Sequence, residues 1–552
     1  MNKFALGLDF GTESARAVLV DVATGEIVAT AVEPYPDGVL DEALPDGSVT
    51  LAPDWALQNS VDWLTTLEAT VKAVLGEGGI ASQDVVGIGI DFTACTVVPT
   101  TADGMPLHAL EAYRNRPHAW VKLWKHHAAQ SQADRVNELA SERGEPWLAR
   151  YGGKISSEWL IPKALHILEE DPEIYTTAGR IVEGGDWVVW QLTGELARNA
   201  CAAGYKATWH KSDGFPSADF LATLHPDLAH LYREKVQGPI AAPGRRVGGL
   251  TEALARRLGL AAGTPVAAPI IDAHAAVPGG GVTGPGTMYM IMGTSTCHML
   301  MSESEKLVEG IAGVVEDGIV PGLFGYEAGQ AGVGDIFAWF VENSVPPAYH
   351  REAESRGVSL HAVLTEYAQR RRPGETGLLA LDWWNGNRST LVDAELSGLL
   401  VGATLGTKPE DIYRALIEAT AFGTRVIIEA FTGQGVPVEA IVAGGGLTEN
   451  PLLMQIYADV TGRQIDVAGS GLASALGAAM LGAVAAGRAG GGYDTLAEAA
   501  ANMAPSPEES YRPNAEHRPV YDVLYDEYRR LYDYFGRGDN NVMKVLRKVR
   551  MS

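Results

Sequence analysis

Apolar residues alternate with small or polar ones from Phe4 to Phe10, stop at Gly11-Thr12-Glu13-Ser14, and resume from Ala17 to Val20. Alternation on both sides of a polar, glycine-bearing break predicts two strands joined as a hairpin. Gly11, with the small hydroxyl residues Thr12 and Ser14, lets backbone come close to a ligand, and such a tip offers N–H groups to an anion. Asp9 closes the buried arm. With no cation beside it in the sequence, its carboxylate suits a metal-bound phosphate. A purely structural hairpin explains the same residues equally well.

The pattern returns half a chain later. Thr287 to Met292 is an apolar run ending at Gly293-Thr294-Ser295-Thr296, and Cys297 to Met301 supplies the return arm. Two phosphate-type hairpins at this separation predict a duplicated fold, one hairpin in each half, both facing a shared cleft.

Between and after the hairpins the periodicity changes. A helical repeat of Trp55, Val61, Leu64, Leu67, Val71 and Leu75 opens at Pro53 and stops at Gly76. Val85 to Ile90 is apolar throughout, as in a strand covered on both faces, and its glycines suggest close backbone packing. It ends at Asp91-Phe92-Thr93-Ala94-Cys95-Thr96, where Asp91 reads either as a turn carboxylate or as a ligand contact. Val266 to Ile271 is another apolar strand and delivers Asp272-Ala273-His274. A carboxylate there is suited to accept a proton from a hydroxyl nucleophile, and equally to cap a helix. His274, without a visible acidic partner, reads as a structural neighbour, and Lys206 as a solvated lysine in a small-residue loop.

In the second half, Pro409 to Phe431 has helical spacing. Ala440 to Ala443 reads as a strand, Gly444-Gly445-Gly446 as its turn, and Asn450-Pro451 as the start of a helix ending at Gly462. Bare backbone at such a turn lets a nucleotide lie flat. The small residues from Ala473 to Ala479 predict a helix packed tightly on a sheet. Gly329, Gly332 and Gly334 have the wrong spacing for a dinucleotide fingerprint. Tyr521, Tyr525, Tyr528 and Tyr532 form an aromatic stripe on a terminal helix that docks, and Lys544 to Arg550 reads as a solvated tail.

Composition narrows the function. A chain of 552 residues, 46% apolar, implies two or more domains. The formal charge of −25 argues against nucleic acid or an anionic membrane as partner, so Trp120 and Trp124 among Arg114, Arg116 and His118 suit core packing or a sugar face instead. Three cysteines, Cys95, Cys201 and Cys297, without metal-ligand spacing, fit a reducing compartment. The N-terminus enters a strand at once and no apolar run reaches membrane length. A cytoplasmic protein without a signal peptide is therefore expected.

With these motifs in place, the whole chain resembles the FGGY family of carbohydrate kinases. The resemblance rests on Asp9-Phe10-Gly11-Thr12, Gly293-Thr294-Ser295, Gly444-Gly445-Gly446, Leu192-Thr193-Gly194 and Arg414-Ala415-Leu416-Ile417-Glu418, with Ala419 where many members have glycine. It implies an α/β fold of two actin-like (ribonuclease H-like) domains flanking a catalytic cleft. Residues 1–278 would carry sugar and phosphate binding, and residues 279–552 nucleotide binding and the terminal helix. The stretches Asp91 to Thr96, Gly153 to Trp159, Gly204 to Ala207 and Leu381 to Arg388 are similar to the branch acting on L-ribulose in L-arabinose catabolism. The Met-His-Gly element of xylulokinases and the Arg-Glu pair of glycerol kinases are absent.

The resemblance further implies a mechanism and a set of site residues. ATP with Mg2+ would phosphorylate the C5 hydroxyl to give L-ribulose 5-phosphate, with Asp272 as general base. Ala94, Trp124, Lys206, Asp272 and Glu327 would surround the ketose. Gly11, Thr12, Ser14, Gly293, Thr294 and Ser295 would hold phosphates, and Gly444, Gly445, Gly446 and Asn450 adenine. Asp9, with Asp272, would hold magnesium. Kinases of D-ribulose, ribitol or xylulose, and an actin-fold ATPase without a sugar substrate, are the alternatives; a homodimer is compatible with the pattern.

Overall fold

The computed structural model describes residues 2–551. Strands β1 (Phe4–Phe10), β2 (Ser14–Asp21) and β3 (Ile27–Pro34) form an antiparallel meander, and β4 (Val85–Phe92) lies parallel beside β1. With β5 (Arg246–Gly249), β6 (Pro265–Ala267) and β7 (Ile270–Ile271) they make a sheet of order β5-β6-β4-β1-β2-β3, β7 pairing with β4 beyond β6. The apolar run 266–271 is thus two strands, because Pro269 has no N–H to give the ladder. Helices of this half that bear on the site are α1 (Ser60–Gly78), α2 (Leu160–Glu170), α3 (Ala200–Ala207) and α4 (Asp272–Gly279).

The second sheet repeats the plan. Strands β8 (Gly286–Met292), β9 (Thr296–Ser302), β10 (Gly313–Glu316), β11 (Phe324–Gln330), β12 (Val438–Gly444), β13 (Ile465–Val467) and β14 (Glu509–Tyr511) run in the order β10-β11-β9-β8-β12-β13-β14. Here β8-β9-β11 is the meander and β12 is the parallel neighbour of β8, as β4 is of β1. Topology therefore supports the duplication inferred from the hairpins. The tips differ in length: four residues separate the paired Phe10 and Ala15, and three separate Met292 and Thr296. Further helices are α5 (Pro409–Gly433), α6 (Pro451–Thr461), α7 (Ala473–Ala486), α8 (Arg518–Gly536) and α9 (Val542–Met551).

Helix α7 joins the halves. Its small residues pack on a sheet as expected, but on β1 and β4 of the first sheet, with α4 alongside. The contact is backbone on backbone. A Cβ at Gly7, Gly87 or Gly89 would stand 2.2, 2.0 or 1.8 Å from the carbonyl oxygens of Ala475, Gly482 and Ala478. One at Gly279 would lie 1.9 Å from the Ala473 carbonyl oxygen, and one at Gly477 1.9 Å from that of Ala275.

Three expectations are corrected. Helix α1 starts at Ser60 rather than Pro53 and runs to Gly78, because Asn59 caps it by accepting the Val61 N–H at 3.0 Å. Trp55 precedes it, its ring 4.8 Å from that of His118 and 4.9 Å from that of His126. Lys206 lies on α3, buried, and not in a loop. The basic end is a helix and not a loose tail: Lys544 Nζ is 2.5 Å from Asp393 Oδ2 and Arg547 donates to the Ala394 carbonyl at 2.6 Å, although residues 545–550 are exposed, as expected. Its partners stand about 150 residues upstream, where no local pattern signals them. The tyrosine stripe does dock, with Tyr521, Tyr528 and Tyr532 fully buried. Among the described residues no helix is long and apolar enough to cross a membrane.

Replacing Gly89 by Val should remove about 3 kcal/mol or more of stability, since backbone cannot step aside for the new atoms. Gly76→Ala in α1, whose Cβ meets nothing within 4 Å, should add about 0.5–1 kcal/mol. Urea unfolding of the two variants gives both signs.

Candidate active site

Three adjacent parallel strands end in carboxylates. Asp9 pairs in register with Asp91, Ile270 of β7 also pairs with Asp91, and Asp272 follows two residues on at the start of α4. Ligands of open α/β sheets collect at such carboxyl ends. Asp91 is fully buried, and neither carboxylate oxygen has a hydrogen-bond partner among the described residues. Burial, then the nearby Asp9 and Asp272, hold its carboxyl well above the ordinary range.

The hairpin corrects the reading of Asp9 as a carboxylate without a cation. Register places Arg16 opposite it, and Arg16 Nη1 is 2.9 Å from Asp9 Oδ2. Asp272 accepts the Ala273 N–H on Oδ1 at 2.7 Å. Burial, with Asp9 and Glu327 adding to it, pushes its carboxyl up to about 7, against the Ala273 N–H and Lys206. A carboxyl poised there exchanges protons readily at neutral pH, which a general base requires.

Next to Asp272 the two halves exchange charge. Lys206 Nζ on α3 is 2.9 Å from Glu327 Oε2 on β11, and Arg388 bonds the other Glu327 oxygen. Burial alone would raise the Glu327 carboxyl, but Lys206 and Arg388 override it and hold it at about 2. Burial likewise opposes the Lys206 ammonium, and Glu327 more than offsets that. Arg388 lies in the stretch Leu381 to Arg388 that carries the resemblance, but nothing in that polar turn marks it as a partner of Glu327. His274 does have an acidic neighbour: Nε2 is 3.7 Å from Glu327 Oε2. Burial lowers its imidazole to about 4, which leaves it neutral.

Ala94 lies in the turn after β4, ahead of Cys95, whose φ of +55° is left-handed. Trp124 is 38% exposed and donates its indole N–H to Thr12 Oγ1 of the first hairpin at 3.0 Å. Hydrogen bonds and ion pairs thus connect Trp124 to the hairpin tip and Lys206 to Glu327, with Asp272 in electrostatic reach of both Lys206 and Glu327.

On the other side, the Gly293 carbonyl accepts the Gly334 N–H at 3.0 Å and the Thr294 carbonyl accepts the Val333 N–H at 2.8 Å, clamping the second tip. Gly445 has φ +99°, and a Cβ there would stand 2.5 Å from the Met292 carbonyl oxygen, so the glycine turn lies flat on β8. Beside it opens a cavity of about 590 Å³ lined by Gly334, Thr365, Tyr413, Gly446, Asn450 and Leu453, among others. Gly446 and Asn450 line it, whereas Gly444 and Gly445 are not among the lining residues. The Asn450 side chain is already engaged: Oδ1 accepts the Leu452 N–H at 3.1 Å and the Leu453 N–H at 3.2 Å, and Nδ2 donates to Thr365 Oγ1 at 3.1 Å.

Among the described residues one cluster has metal-ligand spacing, His118, His166 and Glu170, with atoms within 4.8 Å of one another. The two Nε2 atoms lie 3.0 and 3.1 Å from the Glu170 oxygens, while both Nδ1 atoms are buried without a partner. A metal-bound imidazole ordinarily gives its second N–H to an acceptor, and Lys122 adds a cation nearby. The cluster is therefore a hydrogen-bonded polar knot around Trp55.

Two repeated sheets, carboxylates at the ends of adjacent strands and a cavity beside a glycine turn define an actin-like phosphotransferase architecture. The chain matches the FGGY family of carbohydrate kinases, N-terminal domain, over residues 4–279 and C-terminal domain over residues 288–486. It belongs to the FGGY family of carbohydrate kinases. It is 57% identical to the ribulokinase of Anoxybacillus flavithermus over 99% of this chain and 97% of that protein. To the ribulokinase of Geobacillus thermodenitrificans it is 56% identical over the same shares. In fold it is similar to the xylulose kinase of Rhodospirillum rubrum, with a TM-score of 0.78, 24% identity, and 96% and 98% of the two chains covered. The glycerol kinase of Plasmodium falciparum with ADP gives a TM-score of 0.76 at 16% identity, again covering 96% of this chain and 98% of that one.

Glu327→Gln should destabilise by about 3–5 kcal/mol, because two cations lose their buried partner. With a folded pKa of about 2 against about 4.3 unfolded, the carboxylate contributes fully above the unfolded value. The stability gap between wild type and variant should hold near neutral pH and shrink as pH falls through 4 toward 2 in denaturant titrations.

Proposed function

We propose that the protein transfers the γ-phosphoryl group of ATP to the C5 hydroxyl of L-ribulose, releasing ADP and L-ribulose 5-phosphate. The observation carrying this reading is Asp272, a carboxyl held near neutrality where the strand-end carboxylates meet the Lys206–Glu327 pair. The relatives named ribulokinase, alike over nearly the whole chain, direct the choice of sugar.

Asp272 takes the hydroxyl proton as the O5–phosphorus bond forms; the bond from phosphorus to the bridging oxygen breaks, and its electron pair leaves with ADP. Lys206 and Glu327 hydrogen-bond sugar hydroxyls, Trp124 forms a wall, and Ala94 leaves room at the strand end. The hairpin tips, Gly11 to Ser14 and Gly293 to Ser295, cradle phosphates, and the cavity beside Gly446 and Asn450 takes adenine. Asp9 and Asp272 would hold magnesium, the unpartnered oxygens of Asp91 offering a further hard donor, and the ion would supply neutralisation of phosphate charge. Residues 1–278 and 279–552 then act as two jaws in a cytoplasmic enzyme, with the sugar touching both.

Asp272→Asn should still bind sugar and nucleotide by calorimetry while turnover falls by several orders of magnitude. Near-wild-type turnover removes Asp272 as the base. ADP release measured across L-ribulose, D-ribulose, xylulose and ribitol should be fastest with L-ribulose; release that ignores the sugar points to an ATPase instead.

A further inference from the structure

Lys163, on α2, is completely buried, and among the described residues it has no ion-pair partner. Its ammonium donates to three backbone carbonyls instead: Cys95 at 2.6 Å, Leu123 at 2.8 Å and Lys122 at 3.4 Å. A buried cation whose direct partners are carbonyl dipoles is costly: burial disfavours the charged form, and Glu158 and Glu183, acting from beyond contact, do not restore the lowered Lys163 pKa. An uncharged apolar side chain would fill the same space without that cost. What an ammonium provides is three directed donors at one point.

The carbonyls it gathers are informative. Cys95 follows Ala94, and its left-handed backbone, unusual for a side chain with a Cβ, aims its carbonyl at Lys163. Leu123 precedes Trp124, whose indole reaches Thr12 at the first hairpin tip. Beyond Lys163 the Ala94 turn is braced by Thr96, whose hydroxyl donates to the Ala94 carbonyl at 3.2 Å. One ammonium thus ties the turn bearing Ala94 to the segment bearing Trp124, bonding carbonyls at Cys95 and Leu123 that stand 28 residues apart in the sequence.

We propose that Lys163 is a positioning residue for sugar recognition: bonded to the Cys95 and Leu123 carbonyls, it sets the gap between Ala94 and Trp124. This rests on the sugar-kinase reading above. Lys163 touches neither substrate; it fixes the separation of two walls between which the ketose sits. Arginine would not replace it, because a planar fork cannot converge on three carbonyls around one nitrogen.

The test compares wild type with Lys163→Met and Lys163→Gln, using the ketopentose that wild type phosphorylates fastest. Lys163→Met should raise the sugar KM at least tenfold, leave the ATP KM within twofold, and lower kcat less than it raises the sugar KM. Lys163→Gln, with two N–H donors, should fall between. A simple loss of folded enzyme would lower kcat and leave both KM values in place, so that pattern, or a sugar KM within twofold of wild type, overturns the proposal. Failure of both variants to fold makes Lys163 a folding determinant and also overturns it. If wild type binds no ketopentose by calorimetry, the sugar-kinase reading itself fails and takes this proposal with it; a wild type that binds and a Met variant that matches it refute the proposal alone.

Discussion

The fold depends on how closely backbone meets backbone between α7 and the first sheet. Gly7, Gly87 and Gly89 leave no side chain between the strands and the carbonyls of α7, and Gly279 and Gly477 do the same between α4 and α7. Dispersion at such short range is strong and tolerates no added atom. Because β1 and β4 carry Asp9 and Asp91, and α4 begins with Asp272, this contact also sets the carboxylates relative to one another. A helix from the carboxyl-terminal half therefore supports the carboxylate-bearing edge of the amino-terminal sheet.

Electrostatics at the site follow from that placement. The chain carries a formal charge of −25, yet the cations nearest the strand ends are few and fixed: Arg16 on Asp9, and Lys206 and Arg388 on Glu327. The Lys206–Glu327 pair draws its strength from burial, where a charge is costly alone and strong when paired, whereas Arg16 and Arg388 are about a third exposed. Burial first, and then the nearby Asp9 and Glu327, displace the proton affinity of Asp272 upward. The same carboxylate in water would be fully ionised and a poorer proton acceptor at neutral pH.

The hairpins, the glycine turn and its following helix, the buried strand before Asp91 and the long helix from Pro409 were all legible, because each is a local pattern of polarity and backbone freedom. Trp55 was misplaced because its spacing matches the helix that begins after Asn59, and only the cap reveals the true start. Lys206 looked solvated because its neighbours are small; small residues let α3 approach the second sheet, where a Cβ on Gly204 would stand 2.2 Å from Val315 Cγ1. Arg388 belongs to a stretch that carries the family resemblance, but neither it nor Lys163 shows its partner locally, since a lone basic residue in a turn or an apolar helix has no partner within reach of the sequence. The docked end at Lys544 failed for the same reason.

By itself the sequence determined most of the elements, their duplication, the family and the residue types available for phosphate and sugar, all of which depend on near neighbours along the chain. Tertiary structure alone decided which charges meet: Arg16 with Asp9, Lys206 and Arg388 with Glu327, Lys163 with the Cys95 and Leu123 carbonyls. It also decided the sheet against which α7 packs. The physical reason is range. Propensity and periodicity act over a few residues, whereas a buried charge takes its energy from whichever partner folding brings within a few ångströms, however distant in sequence.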